Sequence, residues 1–222
     1  MPRICIFACF LLTAGLTAQT TGNRTVQANG SATLTANPDQ AQIDVGVVTV
    51  GTTAQDSAQQ NATQTTAVLT AVKAVLGSNG TIQTVSYYVQ PRYTNTSPST
   101  INGYTTSNTV RVVTLDLSII GKLIDAANQA GANSVSSLSF GLQDPDPLVQ
   151  QALTQATKQA LAHANAIASG LGGKVASVIS AQEGSSYTPI VVGGAGPTAV
   201  STPVQTGTVN VYATVTVVAA LQ

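Results

Sequence analysis

DPLVQQALTQATKQALAHANAIASGL, residues 146–171, is the stretch that decides the fold. Asp146 can cap a helix, and Pro147 suits the first helical position, where no amide hydrogen is missed. Val149, Ala152, Leu153, Ala156, Ala160, Ala164, Ile167, Ala168 and Leu171 recur at steps of three and four. That spacing draws one apolar stripe along a helix. Much of the stripe is alanine, so the backbone can lie close to whatever it covers. Gln151, Gln155, Lys158, Gln159 and Asn165 fall on the opposite side, and Gly170, Gly172 and Gly173 end the helix. Much of the remaining chain reads as strands that need such a cover.

Upstream, Val26, Ala28, Gly30, Ala32, Leu34 and Ala36 alternate with polar residues, the pattern of a half-buried strand. Asn37-Pro38-Asp39 is a turn, and Ile43, Val45 and Val47 mark a second strand expected to pair with the first as a hairpin. Thr53 followed by Asp56 resembles a capping box, opening a helix with Ala54, Ala58, Ala62, Thr65, Leu69, Val72 and Leu76 on its inner face. Ile82 to Gln90 is a strand broken by Pro91, and Gly103 to Leu115 returns beside it. The result is a second hairpin with a wide tip from Arg92 to Asn102.

Ser118 can cap a short helix that points Ile119, Leu123, Ile124 and Ala127 inward and ends at Gly131. Val135 to Leu142 leads into the opening helix, and Val175 to Gln182 leaves it as another strand. Residues 184–206 read as a mobile loop rich in Gly, Pro, Ser and Thr. The last strand turns Val209, Val211, Ala213, Val215 and Val217 inward. The order β-β-α-β-β-α-β-α-β-β, with hairpins, indicates an α+β fold: antiparallel sheets covered by three helices.

Composition sets the compartment. Arg3, the apolar run Ile4 to Leu12, and Leu16-Thr17-Ala18 make residues 1–18 a secretory signal. The apolar run is too short to span a membrane. Residues 19–24 form a loose leader, and 25–222 form the domain, which is either one unit or two small ones sharing a core. Cys5 and Cys9 both lie in the signal, so the mature chain carries no disulfide and no thiol chemistry. Charged residues are 7% of the chain, against roughly 25% in average proteins, and the formal net charge is zero. Such a surface argues against nucleic acid as a partner and resists self-association poorly.

Catalytic patterns are hard to find. His163 is the lone histidine, and no Gly-x-Ser-x-Gly elbow accompanies it. With no cysteine in the mature chain and scattered carboxylates, no metal site is expected. Asp144 and Asp146 are close together, but each precedes a proline at a helix entrance, where Asp serves as a cap. A weak oxygen-ligated calcium contact is the alternative there. Gly172-Gly173-Lys174 follows a helix and precedes a strand, the reverse of a phosphate loop, and Gly194-Ala195-Gly196-Pro197 opens no helix. Tyr87, Tyr88, Tyr93 and Tyr104 gather on the second hairpin. Cross-strand packing with Tyr104 competes there with a binding or subunit-contact role.

Several stretches in order, GSATLTANPDQA (30–41), IQTVSYYVQPRY (82–93), INGYTTSNT (101–109), AGANSVSSLSF (130–140), the alanine-rich helix and residues 207–217, together resemble the SIMPL-domain family of bacterial envelope proteins, which includes a periplasmic immunogenic antigen. The resemblance implies a periplasmic or secreted α+β domain, ring-like oligomers in some members, and a loose link to envelope or oxidative stress. It implies no agreed catalytic residues. The expectation is therefore a non-enzymatic envelope scaffold or interaction module, homo-oligomeric, with no cofactor or metal and no transmembrane segment in the mature chain. Its candidate interaction surface is Tyr88, Tyr93 and Tyr104. The alternative is a small-molecule or peptide binding module that uses the hairpin of residues 82–115.

Overall fold

The structure, a computed structural model, describes residues 24–192 and 206–222. The signal, most of the leader, and residues 193–205 of the expected loop, with Gly194 to Pro197 among them, lie outside the described residues. Within them the order is β1 (Thr25–Ala36), β2 (Gln40–Gly51), α1 (Ala54–Leu76), β3 (Gly80–Tyr93), β4 (Ile101–Thr114), a 3-10 turn (Leu117–Ile119), α2 (Ile120–Gln129), β5 (Ser134–Gly141), α3 (Asp146–Gly170), β6 (Val175–Thr188), β7 (Ile190–Val192) and β8 (Val209–Leu221). The class is α+β, as the sequence indicates. All strand pairs are antiparallel, in sheets ordered β1-β8-β6 and β3-β4-β2-β5-β7.

Each sheet has its own core. Alternating Val, Ala and Gly on β1 and β8 pack against α3, whereas Ile43, Val45 and Val47 of β2 pack with Val110, Val112, Phe140 and the apolar faces of α1 and α2. The α3 seam is stricter than the sequence stripe. Ala152, Ala156, Ala160, Ala164 and Ala168 are buried, one every four residues, while Ile167 and Leu171 remain exposed. A single i±4 ridge lies along the sheet, as in ridge-and-groove packing. Small side chains matter here because a Cβ on Gly30 would overlap the Ala156 carbonyl oxygen and the Ala160 amide.

Several expectations are corrected. β1 and β2 do not pair: β1 joins β8, and β2 lies at the centre of the other sheet. Asn37-Pro38-Asp39 is a corner between sheets, held by the Asp39 amide on Gly141 O at 3.0 Å and the Gln143 amide on Asp39 Oδ1 at 2.7 Å. β3 runs through Pro91 to Tyr93 instead of breaking. It is an edge strand, where a missing amide hydrogen is tolerated. The tip is narrower than expected, closed by the Thr94 amide on Thr100 O at 2.8 Å.

The segment expected to loop from residue 184 instead extends β6 to Thr188 and then forms β7. Pairing with β8 along its length supplies the ladder that this polar sequence does not advertise. The caps shift as well. Asp144 Oδ1, not Asp146, accepts an amide at the α3 entrance (3.1 Å), and Asp116 caps the turn before α2 where Ser118 was expected. Thr53 caps α1 as its spacing indicates.

Helix α1 buries a face that hydrophobicity misses. Ser57, Asn61, Thr65, Val68, Val72 and Leu76 are buried, whereas Ala54 and Ala62 are exposed. The polar half of that face is hydrogen-bonded. Asn61 Nδ2 donates to Val47 O (2.8 Å) and Thr106 O (3.2 Å), Ser57 and Thr106 hydroxyls meet at 2.8 Å, and Thr49 Oγ1 donates to Ser57 O (2.7 Å). Buried polar groups are stable where they are paired in this way.

Candidate interaction surface on the second hairpin

The hairpin is built by two strands of equal length, Gly80 opposite Thr114 and Tyr93 opposite Ile101, with register shifts between Thr84 and Ser86 and between Arg92 and Tyr93. β4 is held on its other side by β2, from Ala41–Thr114 to Gly51–Tyr104. β3 has no such second neighbour among the described residues, and nearly all of it is exposed. Val85, Tyr87, Tyr88, Val89 and Tyr93 therefore stand in solvent, with Ile101 beside them on β4.

The three candidate tyrosines do not form one patch. Side chains alternate across a strand. Tyr104 lies opposite Pro91 and Tyr87 opposite Asn108, on the face that bears Val110 and α1; Tyr88 lies opposite Ser107 on the other face. Tyr93 sits past a register shift at the tip, opposite Ile101. Tyr104 is half-buried and also pairs with Gly51, so it belongs partly to the scaffold. Tyr87, a member of the tyrosine cluster outside the candidate surface, adds exposed apolar surface together with Val85 and Val89. Pro91 was the signal that β3 is an edge.

Beneath the hairpin, Arg111 of β4 meets Asp44 of β2 as a direct cross-strand pair. Nε donates to Oδ1 and Nη2 to Oδ2, each at 2.8 Å. Asp44 is buried, and the Arg111 side chain is 32% exposed. The hydrogen bonds that Arg111 donates to Asp44 raise the Arg111 pKa above its ordinary value; desolvation opposes this and the attraction of the same carboxylate adds to it. This is a structural clamp, because both carboxylate oxygens are occupied.

The other candidates are likewise engaged in holding the fold. His163 Nδ1 lies 2.7 Å from Asn29 O and ties α3 to β1. Gln159, placed on the outer side by periodicity, returns its Oε1 to the Ser31 amide at 2.6 Å. An open cleft of about 710 Å³ near the hairpin base is lined by Gln40, Asn79, Thr81, Asp116 and Gln143, among others. Asp116 Oδ1 there already accepts from Ser118 N and Oγ. Among the described residues, no three His, Cys, Asp or Glu side chains are grouped to hold a metal, and no helix is long and apolar enough to cross a membrane.

The family model named SIMPL, described as a protein of unknown function (DUF541), matches residues 26–219. The chain belongs to the SIMPL family. It is similar to the 26 kDa periplasmic immunogenic protein of Brucella melitensis, 27% identical over 170 residues that cover 74% of this chain and 68% of that protein. It is also similar to the uncharacterized protein YggE of Escherichia coli, 26% identical over 153 residues, covering 68% of this chain and 62% of YggE. The matched span of the family takes in both sheets and all three described helices of this SIMPL chain.

Proposed function

We propose that this SIMPL protein is exported to the periplasm and works there without catalysis, as a homo-oligomeric scaffold or interaction module of the cell envelope. The observation that carries the reading is the β3 edge, exposed over nearly its whole length and bearing Val85, Tyr87, Tyr88, Val89 and Tyr93. An exposed apolar edge is a template for another chain; natural proteins guard such edges with charge, proline and bulges, which on β3 are Pro91, Arg92 and two register shifts, leaving the run Ser86–Gln90 open. This chain carries little charge. The periplasmic name of its Brucella relative and the apolar N-terminal run support export. A role in the envelope stress response fits the same compartment.

Light scattering on the chain beginning at Gln19 tests the assembly. A mass well above the monomer is expected. Tyr88→Lys places a charge on the exposed edge and should lower the mass while leaving the circular-dichroism spectrum unchanged. A monomer at micromolar concentration would favour the other reading, a small-molecule or peptide binding module on the same hairpin.

A further inference from the structure

The second sheet end has an equivalent strand. β6 is the outer strand of β1-β8-β6, is exposed over residues 176–186, and has the same length as β3. Val178 and Ile179 are its exposed apolar residues. Each of these two edges carries a single charge, and the signs are opposite: Arg92 on β3 and Glu183 on β6. Both side chains are exposed, and neither forms an ion pair among the described residues. The rest of each strand is neutral.

We propose that β3 of one copy adds to β6 of the next, in parallel, with Arg92 beside Glu183 of the neighbour. The proposal rests on the assembly reading above and specifies its seam. Parallel pairing follows from the positions. With Arg92 and Glu183 matched and both strands running the same way, residues 84–93 lie along residues 175–184, and Pro91 gives no amide to that ladder. Tyr87 and Tyr88 then meet Val178 and Ile179. Antiparallel pairing through the same charges sets Val178 and Ile179 beyond the end of β3, without partners. Parallel ladders are somewhat weaker per residue, and here the apolar contacts and the ion pair add to the backbone bonds. Because β3 and β6 are different strands, the contact is heterologous: it generates a ring if the rotation closes and a filament if it does not. Main-chain pairing supplies affinity, and the side chains supply the register.

Charge reversal on the chain beginning at Gln19 tests the seam. Like charges facing each other across strands are unfavourable. Arg92→Glu alone and Glu183→Arg alone should each raise the assembly midpoint concentration by roughly tenfold, and the double variant should restore it. Cysteines supply an independent check, since the mature chain has none. Gln90→Cys with Ala181→Cys should give a ladder of disulfide-linked multimers on oxidation, and either cysteine alone should not. An oligomer whose mass ignores the reversals and whose cysteine pair gives no ladder overturns the seam and leaves the assembly reading standing. A wild-type chain that is monomeric overturns both.

Discussion

Gly30 of β1 lies against Ala156 of α3 so closely that a Cβ on the glycine would overlap the alanine's carbonyl oxygen. Backbone meets backbone at this point, and that is how a helix whose buried ridge is only alanine can still exclude water from a strand. Gly30→Ala forces the helix outward and should cost about 1–3 kcal/mol by overpacking. Gly170→Ala, at the last residue of α3 with open space around it, should be neutral or mildly stabilising. Chemical denaturation of both variants checks the difference.

The same seam predicts the effect of larger residues on the helix. Ala160 is fully buried and Gln155 is exposed, although they lie on one helix. Ala160→Leu should lose about 1–3 kcal/mol, while Gln155→Ala should change stability by less than about 0.5 kcal/mol. Gln159→Ala falls between them, because it removes the acceptor of the Ser31 amide. Melting temperatures that rank in another order would move the helix face.

Much of this architecture is legible in the chain, and the failures have physical causes. The alternation of β1 and β8 and the Thr53 cap are written in residue type and spacing, and the structure keeps them. Pairing of β1 with β8 is not local: its partners lie at opposite ends of the chain, so a turn at Asn37-Pro38-Asp39 could as well be a hairpin as a corner. The α1 face escapes a hydrophobic pattern because Asn61 and Ser57 are buried for their hydrogen bonds. The hairpin is visible as a tyrosine cluster and Pro91 marks an edge strand, but which strand lies beside it, and so how much of it is open, depends on strand order, which becomes visible only in the sheet.

Asn61 gives a direct check on that buried face. It is fully buried, and its Nδ2 supplies the hydrogen bonds to Val47 O and Thr106 O. Asn61→Leu leaves both carbonyls without this donor and should cost about 2–3 kcal/mol. Ala62→Leu, its exposed neighbour, should be near neutral. Equal losses at the two positions would contradict the assigned face.

The Asp44–Arg111 clamp should behave as a partly buried pair. Arg111→Met removes two charge-assisted bonds and leaves a buried carboxylate, at a cost of about 2 kcal/mol. Asp44→Leu combined with Arg111→Met should recover part of that loss. The folded-state pKa of Arg111 is raised, so its contribution is fully present below the unfolded arginine pKa and is lost only as pH rises through the folded value. The arginine's contribution should therefore be constant between about pH 6 and 9, where arginine is charged in both states. Urea titrations of the native and Arg111→Met chains at both ends of that range measure it.

Export has its own signature. The signal pattern ends in small residues at Thr17 and Ala18. Protein recovered from a periplasmic extract should begin near Gln19 by intact mass. Cytoplasmic protein that retains Met1 would place the chain in the wrong compartment for the proposed role.

The most direct test of the central claim is the solution mass of the chain beginning at Gln19, measured by sedimentation equilibrium across micromolar concentrations. A self-associating scaffold joined through its exposed strand edges predicts a mass several times that of the monomer or more, lowered by Arg92→Glu. A single monomeric species across the whole range would contradict the account.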